Sequence, residues 1–174
     1  TGLIGTGQAL FQGLEETTEI IDSSLDDDDS FRRVSFHFPM ANAPARTEWI
    51  DLAEELAQIH QVLCIVNTRK DCRELHSLMP DGSLHLSALM CGEERSVRIN
   101  EIKMKLDRGE PLRVISTQLV EAGVDIDFPI VYRAMAGLDS IAQAAGRCNR
   151  EGSLNRSGKM GQVVVFNPPK PAPP

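Results

Sequence analysis

Residues 114–127 read Val-Ile-Ser-Thr-Gln-Leu-Val-Glu-Ala-Gly-Val-Asp-Ile-Asp, and residues 138–151 read Leu-Asp-Ser-Ile-Ala-Gln-Ala-Ala-Gly-Arg-Cys-Asn-Arg-Glu. The first opens inside a short apolar run, Leu112 to Ser116, of the length of a buried strand, with the hydroxyl residues Ser116 and Thr117 at its end. The second predicts a helix from Asp139 or Ser140 to about Asn149. Ile130 to Tyr132, between them, predicts another strand.

Working outward, the same alternation continues in both directions. Val34, Phe36 and Phe38 alternate with Arg33, Ser35 and His37 at the two-residue period of a half-buried strand. Thr47 is placed to cap a helix carrying Trp49, Leu52, Leu56 and Ile59 on one face. Val62 to Val66 is a buried strand by its length, and residues 69–79 space Cys72, Leu75 and Leu78 helically before Pro80 and Gly82. Leu84, Leu86 and Ala88 alternate as a third strand. Glu93 to Arg108 is a charged helix with Val97, Ile102 and Leu106 as its expected buried positions, and Gln162 to Phe166 is a sixth strand. Strands alternating with helices of this length predict βαβ units, hence an α/β three-layer sandwich: a mostly parallel sheet of about six strands with helices on both faces. In such sheets function gathers beyond the carboxyl ends of the strands, here after Val66, Ala88, Ser116 and Tyr132.

The chain has 174 residues and a net charge of −7, which argues against gripping nucleic acid by bulk charge. That inference narrows once the charge is located. Residues 1–30 hold eight acids and no base, so removing them from 25 acids leaves 17 acids against 18 bases, a balance of +1. The expected organisation is an acidic linker or insertion over 1–30, a domain over 31–167 and a Pro-rich tail over 168–174. The run Asp26 to Asp29 lacks the spacing of a calcium loop. Cys64, Cys72, Cys91 and Cys148 form no Cys-x-x-Cys pair and read as reduced structural thiols, with no metal site expected. No apolar run reaches the length of a membrane span, so a soluble, cytoplasmic protein without membrane contact is expected. Its start at Thr1 rather than Met fits a processed or excised piece.

Gly2 to Gly7 follows no strand and precedes no Lys-Ser or Lys-Thr pair, so it is not a phosphate loop; nor does an Asp-Glu pair end a strand to hold magnesium. The chain is expected not to assemble a triphosphatase site alone. A dinucleotide-binding oxidoreductase would need a strand-linked Gly-x-Gly-x-x-Gly, which the chain lacks.

The two stretches quoted first resemble the fifth motif (Ser-Thr, then Gly-Val-Asp) and sixth motif (Gln-x-x-Gly-Arg-x-x-Arg) of the second RecA-like lobe of superfamily 2 helicases. Val-Asn-Thr-Arg-Lys after Val62 to Val66 and Leu-Ser-Ala-Leu-Met after Leu84 resemble the fourth motif and its companion. Within the superfamily the chain is most similar to the CRISPR-associated helicase-nuclease of type I interference, over roughly residues 31–167. It departs from the common Gln-Arg-x-Gly-Arg in carrying Ala144 after Gln143.

The resemblance implies a RecA-like fold and an ATP-dependent helicase or translocase, with Arg147 and Arg150 acting as arginine fingers and Gln143 beside them. Two guanidiniums at such a place can stabilise charge on a transferred phosphoryl group. On a continuous helix Gln143, Arg147 and Arg150 fall at i, i+4 and i+7, on one side, with Gly146 allowing close backbone approach; a solvated helix pairing these arginines with acids such as Glu151 has the same spacing. Asp125 would touch the ribose hydroxyls of ATP, and Gly123 would let the backbone turn close to the nucleotide. Asn67, Thr68, Arg69, Ser87, Ser116 and Thr117 would contact phosphates of single-stranded DNA, though strand-end capping and turn formation use the same residue types. Asp127 and Asp139 read as local turn and cap groups. Further implied are a first RecA-like lobe that supplies the phosphate loop and holds Mg2+, a nuclease domain, and recruitment by an RNA-guided surveillance complex. The competing expectation is a catalytically idle RecA-like module that binds protein or nucleic acid.

Overall fold

A computed structural model describes residues 32–39, 46–87, 90–120 and 124–170. The acidic segment 1–30, the Gly2 to Gly7 stretch, Ala88, Gly123 and the last four residues lie outside the described residues. Among the described residues six strands form one sheet: β1 (Val34–His37), β2 (Gln61–Val66), β3 (Leu84–Leu86), β4 (Leu112–Thr117), β5 (Ile130–Ala134) and β6 (Gly161–Phe166), in the order β1-β6-β5-β2-β4-β3. Every pairing is parallel. The helices are α1 (Trp49–Ala57), α2 (Arg69–Leu78), α3 (Gly92–Asp107) and α4 (Leu138–Ala145).

Alternation along the central strands explains why both faces need covering. In β2, Val62, Cys64 and Val66 pack with Trp49, Leu52 and Leu56 of α1 and with Cys72 and Leu75 of α2, whereas Leu63 and Ile65 pack on the other face with Ile102 of α3 and Ala144 of α4. A parallel sheet buried on both sides requires such near-continuous apolar strands. The crossover from β4 to β5 contains no α-helix among its described residues. It makes a 3-10 turn at Gln118–Val120 and then lays Val124, Ile126 and Phe128 onto the α3 side of the sheet.

Four local expectations change. Thr47 does not cap α1: Glu48 holds that position without a side-chain bond, and the Thr47 amide donates to the Asn167 carbonyl at 2.8 Å. Phe36 and Phe38 are 45% and 54% exposed, because α4 packs over β5 and β6 and no described helix covers the edge strand β1; their rings stack on each other instead, 5.9 Å apart. Val97 is exposed, since the inward stripe of α3 is Ile99, Ile102 and Leu106 at i, i+3 and i+7. Leu78, at the end of α2, is exposed while Cys72 and Leu75 are buried.

Candidate functional site

Two groups of expected site residues are brought together, one at the carboxyl ends of the strands and one around the turn after α4. In the first group, β2, β4 and β3 lie side by side, with Val66 in register with Thr117 and Leu86 with Ser116. Asn67, Thr68 and Arg69 follow β2, Ser87 follows β3, and Ser116 and Thr117 end β4. Much of their side-chain chemistry is already engaged. The Thr68 hydroxyl donates to Asp71 Oδ2 (2.7 Å) and accepts from the Asp71 amide (3.0 Å), which caps α2. The Ser116 hydroxyl, fully buried, donates toward the carbonyls of Leu86 (3.2 Å) and Thr117 (2.9 Å). Asn67 Nδ2 donates to the Met135 carbonyl (2.9 Å), and its Oδ1 accepts from Arg133 Nη1 (2.7 Å). Ser87 and Thr117 are buried, whereas Arg69 is exposed.

The second group does not ride on one helix. α4 ends at Ala145 with Gly146 as its cap, so the i, i+4, i+7 geometry reaches only Gln143, which is exposed. Arg147 and Arg150 stand on the turn that follows. That turn is built by Asn149, whose φ of 46° is the left-handed conformation that Asn tolerates better than most residues. Asn149 is 1% exposed; its Nδ2 donates to the Arg33 carbonyl (2.7 Å) and to Asn155 Oδ1 (2.6 Å), and its Oδ1 accepts from the Leu154 amide (3.0 Å). The Asp127 carboxylate accepts from the backbone amides of Arg150 (2.7 Å) and Glu151 (3.1 Å), a local turn role. Asp139 lies in the first turn of α4, behind the cap residue Gly137. At Gly161, the start of β6, an added Cβ would stand 2.6 Å from Cys148 Sγ and 2.8 Å from Asn149 Cβ, so only hydrogen fits beneath the turn.

This scaffold gathers two cations beside a carboxylate. Arg150 pairs with Asp125 at 2.5 Å, and Lys103 of α3 reaches the other Asp125 oxygen at 3.6 Å. Arg147 Nε donates to the Val120 carbonyl (2.8 Å), tying the turn to the segment that leaves β4. Partial burial and the neighbouring Arg150 charge push the Arg147 guanidinium below its usual value, with Asp125 opposing. The two guanidiniums lie close enough to repel each other, and Asp125 offsets part of that repulsion. The donor set suits a nucleotide: two guanidiniums for phosphate oxygens and one exposed carboxylate for a diol. Among the described residues, no group of three or more His, Cys, Asp or Glu side chains is placed to hold a metal ion, and no helix is long and apolar enough to cross a membrane.

Two residues escaped the sequence reading. Asn149 carried a faint signal in its residue type, since just past a helix end Asn is among the few non-glycine residues that take left-handed backbone readily. Arg133 carried another: a cation in the strand Ile-Val-Tyr-Arg-Ala, otherwise apolar or aromatic, is out of place unless it has a task.

Comparison with known proteins supplies the family. Residues 58–153 match the family model of the C-terminal region of the CRISPR-associated nuclease/helicase Cas3. The Cas3 of Haloferax volcanii is 57% identical over 56 residues, covering 32% of this chain and 6% of that protein. The Cas3 of Methanothermobacter thermautotrophicus is 29% identical over 140 residues, covering 75% of this chain and 17% of that protein. The chain therefore spans under a fifth of the length of these relatives. Among solved structures, T. fusca Cas3-ATP superposes with a TM-score of 0.58 at 21% identity, over 80% of this chain and 18% of that one. A CRISPR RNA-guided surveillance complex in its pre-nicking state gives 0.61 at 20% identity, over 80% and 19%. These structural likenesses support the RecA-like α/β sandwich. With more than half of its length matched by the family model, the chain belongs to the Cas3 family, as a C-terminal helicase lobe.

Proposed function

We propose that this chain is the second motor lobe of an ATP-dependent DNA helicase or translocase acting in CRISPR interference. The observation that carries the proposal is the turn after α4, which sets Arg147 and Arg150 beside Asp125 and ties Arg147 to the exit of β4. Residues 31–167 form the lobe, with 1–30 an acidic linker or insertion. ATP binds between this lobe and a first RecA-like lobe that holds Mg2+ and the phosphate loop, and its hydrolysis supplies the driving energy. Arg147 and Arg150 stabilise the charge of the phosphoryl group, with Gln143 and Gly146 beside them, and Asp125 and Gly123 meet the nucleoside side. An arginine finger of this type contributes about 10³ to 10⁵ in rate in the best-studied nucleotide hydrolases. Asn67, Thr68, Arg69, Ser87, Ser116 and Thr117 line the path of single-stranded DNA. The solved Cas3-ATP structure supports nucleotide use, and the surveillance complex supports recruitment by an RNA-guided assembly together with a nuclease domain. The setting is cytoplasmic.

Because the Thr68 hydroxyl is engaged inside the lobe and Ser116 is fully buried between β2 and β3, phosphate contact in this group falls chiefly to exposed Arg69. In the full-length protein, Arg147→Ala or Arg150→Ala abolishes DNA-stimulated ATP hydrolysis while leaving the fold intact. Unchanged turnover overturns the proposal, as does full-rate hydrolysis by the isolated chain.

A further inference from the structure

Arg133 lies in the middle of the sheet, in β5 between β2 and β6, and is 0% exposed. Burying a guanidinium is costly unless its donors are matched, and an apolar side chain of similar volume would pack there without that cost. Two acceptors of its Nη1 are neutral: Asn67 Oδ1 at 2.7 Å and the Ala134 carbonyl at 2.9 Å. The first fixes the Asn67 amide. Arginine can only donate, so Oδ1 must face it, and Nδ2 must then face the Met135 carbonyl, which can only accept. The Met135 amide in turn donates to the Phe166 carbonyl at 2.8 Å.

The chain of contacts spans the two groups of site residues. Asn67 stands one residue before the cap of α2, and Met135 stands three residues before α4, at whose far end come Gly146 and Arg147. Strands β2 and β5 are in register only through Ile65 and Arg133, so beyond those residues the backbone ladder no longer holds their ends together. The Asn67 amide, held by Arg133, takes over from the ladder at that point.

We propose that Arg133 is a positioning residue: by locking the Asn67 amide it clamps the entry of α2 to the entry of α4, so that the strand-end face and the arginine turn move together. The clamp itself is a property of the fold; its part in coupling DNA contact to hydrolysis rests on the motor-lobe proposal. Arg133 contacts neither nucleotide nor DNA in this role.

Arg133→Met, of similar length but without donors, tests it in the full-length protein, with hydrogen exchange read alongside ATP hydrolysis in the presence and absence of single-stranded oligothymidine. Faster exchange is expected at residues 67–71 and 135–141 with α3 unchanged. The DNA-stimulated rate should fall about tenfold while the DNA-free rate moves less than about twofold, the factor for one charge-assisted hydrogen bond lost only from the coupled state. Arg133→Lys, which keeps a donor, should recover part of the stimulation. If Arg133→Met fails to fold, Asn67→Asp leaves the guanidinium a partner but sets an acceptor oxygen in place of the donor against the Met135 carbonyl, and faster exchange at 135–141 is expected again. Unchanged exchange at both segments overturns the clamp, and equal loss of both rates overturns its coupling role. A wild-type protein without DNA stimulation would overturn the motor-lobe proposal, while exchange would still decide the clamp.

Discussion

Replacing Asn149 by alanine should cost this lobe about 4 kcal/mol. The side chain makes three hydrogen bonds, to the Arg33 carbonyl, to Asn155 Oδ1 and from the Leu154 amide. At roughly 1 kcal/mol net for each, they account for about 3 kcal/mol. The remaining part is backbone: at φ 46° an alanine Cβ meets the steric penalty that asparagine partly offsets, about 1 kcal/mol. Asn149→Gly separates the two contributions. It loses the same bonds but not the left-handed conformation, so after glycine's own entropic cost it should be more stable than the alanine variant by roughly 0.5 to 1 kcal/mol. Urea unfolding followed by circular dichroism reads both, provided the slope with denaturant stays constant. In a domain of this size a loss of 4 kcal/mol also lowers the melting temperature by about 10 °C. A loss below about 1 kcal/mol for alanine would refute the bonding described here, and equal stabilities for alanine and glycine would refute the strain.

Burial and the like charge of Asp71 push the Cys72 thiol up to about 12, and burial and Asp127 do the same for Cys148. The ordinary value is 9.0, so between pH 9 and 12 the folded state keeps protons that the unfolded chain releases, and stability should decline with rising pH by about 1.4 kcal/mol per pH unit for each thiol; an unfolding series flat across that window would contradict this. In the same native protein, Cys91 alone of the four thiols is exposed, and rapid alkylation at mild pH should stop at that residue until denaturant is added. Gly161→Ala should destabilise by about 1 to 3 kcal/mol, because its methyl would have to displace Cys148 and Asn149; a melt matching wild type would count against the close approach. Removing the Tyr132 hydroxyl, which donates to Glu55 at 2.6 Å, should cost about 1 kcal/mol in Tyr132→Phe.

The strands and helices were legible because their apolar spacing is what the layers require: Leu63 and Ile65 against Val62, Cys64 and Val66 announce a strand covered on both faces. The end of α4 was not. Gln143, Arg147 and Arg150 suit a continuous helix in one dimension, and only the left-handed Asn149 and the Asp127 bonds from outside the segment show that the turn is held by tertiary contacts. Local patterning likewise misjudged Phe36 and Val97, because period marks a face without saying whether anything lies over it. The arginines and their acidic neighbour were readable as motifs. Their scaffold, Asn149 and Arg133, was not, since hydrogen bonds between distant segments leave no periodic trace.

The position of β1 bears on how the chain acquires its fold. Val34 pairs with Gly161, 127 positions further along, and the start of that strand is further fastened by Asn149 and Asn155, which donate to the carbonyls of Arg33 and Arg32. Among the described residues, no neighbour nearer in sequence pairs with β1. Within the described lobe this strand therefore gains its sheet partner only once β6 has formed, and of the sheet pairings its docking closes the longest loop. Folding should end, rather than begin, at the amino-terminal edge, on the same turn that presents the two arginines.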